Sequence, residues 1–137
     1  MITASHLLVG GAAGSLTDQP LLAFGLGVVS HAVCDMVPHF DIRDYRRDVA
    51  LGVVVAAGTI AAATLRGGVS PGYLWGMIGG VVPDIENLLW QMGLLDGGRR
   101  IFPTHRKGGL PHGAPRGPRN LVVQGIVGLL SLLVILR

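Results

Sequence analysis

The sequence predicts an all-α protein, a polytopic membrane bundle of four to five helices whose first helix is short enough to be re-entrant. Hydrophobic residues make up 50% of the 137 residues, charged residues only 14%, and the mean hydropathy is +0.55. Charge is also segregated. No charged side chain occurs between Val49 and Leu65, between Gly67 and Pro83, or between Asn120 and Leu136. Each run is roughly 17 residues, near the lower limit for crossing a hydrocarbon core of ~30 Å. A soluble helical bundle needs polar helix faces, and these runs lack them. The 22 glycines weaken helices in water but suit close helix packing in lipid.

The elements follow in order as one domain. A first helix is expected over 3–16, with Thr17-Asp18-Gln19-Pro20 as its turn. A second covers 21–37 and is stopped by Pro38, which cannot continue the hydrogen-bond ladder. Residues 41–48 form a charged loop, and a third helix spans 49–65. Ser70-Pro71 opens a fourth over 71–92, carrying Pro83 inside it. Residues 97–118, rich in Gly, Pro and Arg, read as a cytoplasmic loop, and a fifth helix runs over 119–136. The amino-terminal residues lack the positive region of a cleavable signal peptide, so the first apolar stretch is expected to be retained.

The basic residues set the expected orientation. Arg43, Arg46 and Arg47 lie in one loop, and Arg99, Arg100, Arg106, Lys107, Arg116 and Arg119 lie in or beside the other. The positive-inside rule places both in the cytoplasm, which makes the chain a multi-pass inner-membrane protein. The net charge of +3 is explained by those loops, and no nucleic-acid partner is expected. Gly10-x-x-x-Gly14 and Gly76-x-x-x-Gly80 have small-xxx-small spacing, which admits a homo-oligomer. The lone Cys34 excludes an internal disulfide framework.

Ionisable groups inside such a chain are expensive and mark function. Here they are His, Asp and Glu, the ligand types that suit zinc and other divalent metals. His31 and Asp35 are four apart and project from one helix face. Pro83 kinks the fourth helix and aims Asp84 inward. In the expected topology His6, His31, Asp35, Asp84, His105 and His112 all fall at the cytoplasmic face, so they are the candidate metal ligands. His39, Asp41 and Asn87 are expected to orient imidazoles or ligand carboxylates. Arg106 and Lys107, beside His105, suit a phosphate, with surface anchoring to anionic lipid as the plain alternative.

These elements resemble those of small inner-membrane-associated metal-dependent hydrolases, a family compared with zinc-dependent phospholipases C. The resemblance rests on His6 before an apolar helix, the Ser30-His31-x-x-x-Asp35 element, the Pro83-Asp84-Ile85-Glu86 element and the basic loop from His105 to His112. Glu86 stands where the family carries aspartate, and the histidine spacing in the loop is wider than the family's. The resemblance implies a metal-dependent hydrolase at the cytoplasmic membrane interface, with one or two divalent ions, zinc in the first instance. Bound metal would lower the pKa of its water towards ~7. Glu86 is the expected proton carrier. A site at headgroup depth points to membrane lipid as environment and to a phospholipid or other lipid phosphoester as substrate. A divalent metal-ion carrier and a non-enzymatic membrane scaffold are the alternatives.

Overall fold

The computed structural model describes residues 1–113 and 119–137. Residues 114–118, which include Arg116 and the end of the expected 97–118 loop, lie outside the described residues. The described residues form α1 (Thr3–Gly14), α2 (Pro20–Met36), α3 (Tyr45–Leu65), α4 (Pro71–Val81), α5 (Asp84–Gln91), a 3-10 turn (Gly97–Arg99) and α6 (Arg119–Ile135), with no strand among them.

The all-helical expectation agrees with this element list, but the polytopic bundle of four to five spans does not. Among the described residues only α3, with 21 residues and a hydropathy of 1.9, is long and apolar enough to cross a membrane. At 1.5 Å per residue, the 12 residues of α1 and the 11 of α4 extend about 18 and 17 Å. The 17 residues of α2 and of α6 reach about 26 Å. Uncharged runs of adequate length are therefore not matched by helices of adequate length. A run of apolar residues reports composition, whereas a span needs unbroken helix.

Local chemistry explains where each helix departs from the expected bounds. Pro83 divides the expected 71–92 helix in two, because it has no N–H to donate back into α4. Asp84 and Glu86 thereby fall in the first turn of a new helix, where the macrodipole favours carboxylates. The third helix starts four residues early because Asp44 caps it, accepting from the backbone N–H of Arg46 and Arg47. That draws Arg46, Arg47 and Asp48 out of the expected loop. The Asp48 carboxylate then accepts from the N–H of Thr3 at 3.1 Å and from its hydroxyl at 2.6 Å. It supplies the cap that the first turn of α1 lacks from its own Ile2.

Helix α4 packs along both α1 and α2, and α1 also touches α3 and α6. The crossing is built on glycine. A Cβ on Gly10 would meet the Gly76 carbonyl at 2.5 Å, and one on Gly27 would meet the Gly80 nitrogen at 2.8 Å. The two small-xxx-small motifs therefore pack against each other within the chain. This close approach sets the end of α4 beside His6 of α1 and His31 of α2. Leu7, Tyr73 and Met77 form the small apolar core next to it, and the Tyr73 hydroxyl donates to Thr59 Oγ1.

Candidate metal centre

Asp35 is the hub of a buried polar cluster. It lies one turn after His31 on α2, and its side chain is 1% exposed. Its Oδ2 accepts from Thr104 Oγ1 at 2.7 Å and lies 3.1 Å from His105 Nε2 and 3.2 Å from His31 Nε2. Its Oδ1 lies 3.2 Å from His6 Nε2 and 3.2 Å from the Met1 amino nitrogen. Burial alone would raise the pKa of this carboxyl. Contacts from His105, His31 and His6 and the charge on the amino group outweigh it, holding Asp35 far below the usual carboxylate range.

The histidines are oriented from behind. His31 Nδ1 lies 2.7 Å from the Gly80 carbonyl, and His105 Nδ1 lies 3.0 Å from Glu86 Oε1. Neither oxygen can donate, so each Nδ1 carries the proton and each Nε2 presents its lone pair when the ring is neutral. The two Nε2 atoms are 3.3 Å apart. With Asp35 Oδ2 they form a triangle with sides of 3.1, 3.2 and 3.3 Å. Three acceptors this close need positive charge between them, either extra protons or a cation.

The dimensions fit a cation. An ion with bonds of ~2.0–2.1 Å in tetrahedral coordination spaces its donor atoms about 3.3 Å apart. Asp84 Oδ1, 3.8 Å from both Nε2 atoms, stands on the cleft side of the triangle. His6 stacks on His31 with ring centroids 3.7 Å apart. Although its Nε2 is 3.2 Å from Asp35 Oδ1, neither ring nitrogen of this fully buried residue has a hydrogen-bond partner. Burial pushes its pKa down to about 4, against the opposing pull of Asp35. Neutral, buried and unpaired, His6 suits a metal better than a proton. His6, His31 and Asp84, and likewise His31, Asp35 and His105, are groups that could hold a metal ion. They share the single free nitrogen of His31 and thus converge on one position.

The remaining sequence-predicted residues separate into two sets. Asn87 donates to Asp84 Oδ1 at 3.3 Å and accepts from Arg100 at 3.2 Å. Glu86, the expected proton carrier, accepts from the N–H of Ile101 at 2.8 Å and of Phe102 at 3.0 Å, besides facing His105. Both of its oxygens are therefore committed to the loop. His112 and His39 form another group around Asp35, with Asp41 beside His39. His112 Nδ1 is 3.6 Å from Asp35 Oδ2, and His39 Nε2 is 3.3 Å from Asp41 Oδ1. Burial would raise the Asp41 pKa, but His39 and the Met1 amino group bring it down to about 2. Arg106 and Lys107 line a cleft of about 1080 Å³ that opens from Asp35, Asp84 and His105. Ile42, Val49, Leu88 and Trp90 give the cleft an apolar wall, and Arg43 and Arg100 add charge.

Sequence reasoning missed Thr104, the Gly80 carbonyl and Arg100. Thr104 is adjacent to His105, which was the only signal available. Cys34 is buried, and burial together with nearby Asp35 raises its pKa to about 11, so it stays a thiol outside the cluster. No protein-family model, curated protein or solved structure matches the chain.

Proposed function

We propose that this chain is a metal-dependent hydrolase of lipid phosphoesters, working at the cytoplasmic face of the inner membrane with α3 as its anchor. The observation that carries the metal reading is the triangle of His31 Nε2, His105 Nε2 and Asp35 Oδ2, whose sides match the donor spacing around a small divalent ion. The cleft supports the substrate class. Basic side chains at its mouth suit a phosphate, and its apolar wall suits the hydrocarbon beside one. The resemblance to membrane-associated metal-dependent hydrolases points the same way.

A bound divalent ion, zinc in this reading, supplies Lewis acidity and an activated water. His31, Asp35 and His105 would hold it, with His6 as a further candidate ligand. Gly80 and Glu86 keep both imidazoles in the tautomer that presents Nε2. Arg106 and Lys107 neutralise the phosphate oxygens, the arginine by a two-pronged contact. Asp84, 23% exposed and turned to the cleft, accepts the proton of the attacking water. Glu86, whose oxygens are bound to the loop, acts as a positioning residue.

The test uses the full chain produced without a polyhistidine tag, loaded with zinc and assayed on phospholipid vesicles and on a soluble aryl phosphodiester. Hydrolysis of the lipid is expected. His31→Ala and Asp35→Ala should lose both metal and hydrolysis while keeping helix content by circular dichroism. Stoichiometric metal retained by both variants would overturn the ligand assignment, and a zinc-loaded protein inert on both substrates would overturn the activity.

A further inference from the structure

We propose that Asp35, His39 and His112 hold a second divalent cation, distinct from the one at the triangle and sharing Asp35 with it. The inference rests on the metal reading of the first position and adds two residues that the first position does not use.

His39 is the strongest reason. It follows Pro38 in the connection between α2 and α3, a place where a histidine is ordinarily solvated, yet it is wholly buried. Its Nδ1 donates to the Val37 carbonyl at 2.7 Å, the same backing by a protein oxygen that His31 receives. Its Nε2 is thereby left as a buried lone pair, and no hydrogen-bond partner reaches it. Such groups are rare in native proteins unless they serve a site. The donor atoms of Asp35, His39 and His112 lie within 4.8 Å of one another, close enough to share one ion.

The chain around them is built to hold that arrangement. Gly113 N–H donates to the Asp35 carbonyl at 2.6 Å. A Cβ at Gly113 would come within 2.7 Å of the Val37 carbonyl carbon and 3.0 Å of the Pro38 nitrogen. Only glycine permits this docking. It sets the His112 ring edge-on to His39, with centroids 4.9 Å apart. Residues 112–113 are thus pinned against residues 35–39 by backbone contacts, which brings His112 Nδ1 to 3.6 Å from Asp35 Oδ2 and sets its ring 6.1 Å from that of His105.

Two rivals use the same atoms. In the first, His39 simply pairs with Asp41, 3.3 Å away, as an imidazolium. In the second, the Met1 amino group, 3.2 Å from both Asp35 and Asp41, already neutralises the carboxylates. In either case no second ion is needed. A second ion has one further signature: the His112 side chain is 35% exposed, against 1% or less for His31, Asp35 and His105, so this ion is the solvent-side one. It should leave first.

The experiment is elemental analysis of the untagged full chain equilibrated with zinc alone and then challenged stepwise with a chelator. Two zinc ions per chain are expected, one removed at lower chelator concentration. His39→Ala and His112→Ala should each bind one ion and lack the early-released one. His112→Ala, at a half-exposed position, keeps the test if His39→Ala fails to fold. One ion per chain in the wild type, or two in both variants, overturns the second site while leaving the first standing. No bound zinc in the wild type overturns both readings together.

Discussion

Glu86→Gln separates positioning from proton transfer. The carboxylate receives three donors: Ile101 N–H at 2.8 Å, Phe102 N–H at 3.0 Å and His105 Nδ1 at 3.0 Å. Oε1 takes two of them and Oε2 the third. Glutamine has one acceptor oxygen, and its best orientation keeps that oxygen on Phe102 and His105. Its amide nitrogen then faces the Ile101 N–H, donor against donor, at a local cost of about 1–3 kcal/mol. The proton on His105 Nδ1 loses its anionic partner, and the imidazole becomes a weaker ligand. Loss of such an outer partner typically lowers metal affinity 10–100-fold, or about 1.4–2.8 kcal/mol. Competition with a chromophoric chelator on the untagged chain measures this directly. Zinc affinity within about twofold of wild type would refute the positioning argument. Unchanged affinity joined to loss of turnover would instead restore Glu86 as the proton carrier.

Other substitutions read other parts of the structure. In metal-free protein, burial lowers the His6 pKa to about 4 from its ordinary value of 6.5, so the unfolded chain binds more protons between those values. Its stabilising effect is full above pH 6.5 and falls away as the pH drops towards 4, by about 3 kcal/mol in all. Urea midpoints at pH 7 and pH 5 should differ less in His6→Gln than in wild type; equal pH dependence refutes the burial argument. Gly76→Ala places a Cβ 2.9 Å from the Gly14 nitrogen and should destabilise by about 1–3 kcal/mol or more, since backbone must move. Gly25→Ala, in open space on α2, should be neutral or stabilising by about 0.5–1 kcal/mol. Thr104→Val removes the 2.7 Å bond to Asp35 and should weaken zinc binding by about tenfold in the same competition assay.

What the chain disclosed in advance was local. The i, i+4 pairing of His31 and Asp35 needs only a helix, and Pro38 and Pro83 mark breaks through a missing donor. At Pro83 the sequence nevertheless predicts a kink within a continuous 71–92 helix. Whether a chain bends or restarts at proline depends on what receives the next turn, and Glu86 finds that in residues 101–105 of the loop. The roles of Glu86 and His39 were hidden for the same reason. The partners of Glu86 lie 15 to 19 residues away in the loop, and His39, though it bonds only to nearby Val37, is buried by the docking of residues 112–113, neither of which a residue pattern encodes. The expected spans failed because hydropathy counts residues whether or not they share one helix. Gly113 carries positional meaning only once the neighbouring backbone is in place.

The Asp48 carboxylate ties the head of α3 to the first turn of α1 through Thr3, and His6 stands one turn further along. Tilting or sliding the longest apolar helix therefore tugs on the stacked imidazole pair with little slack between. The linkage runs both ways: whatever grips those imidazoles restrains how α3 can lean in its surroundings.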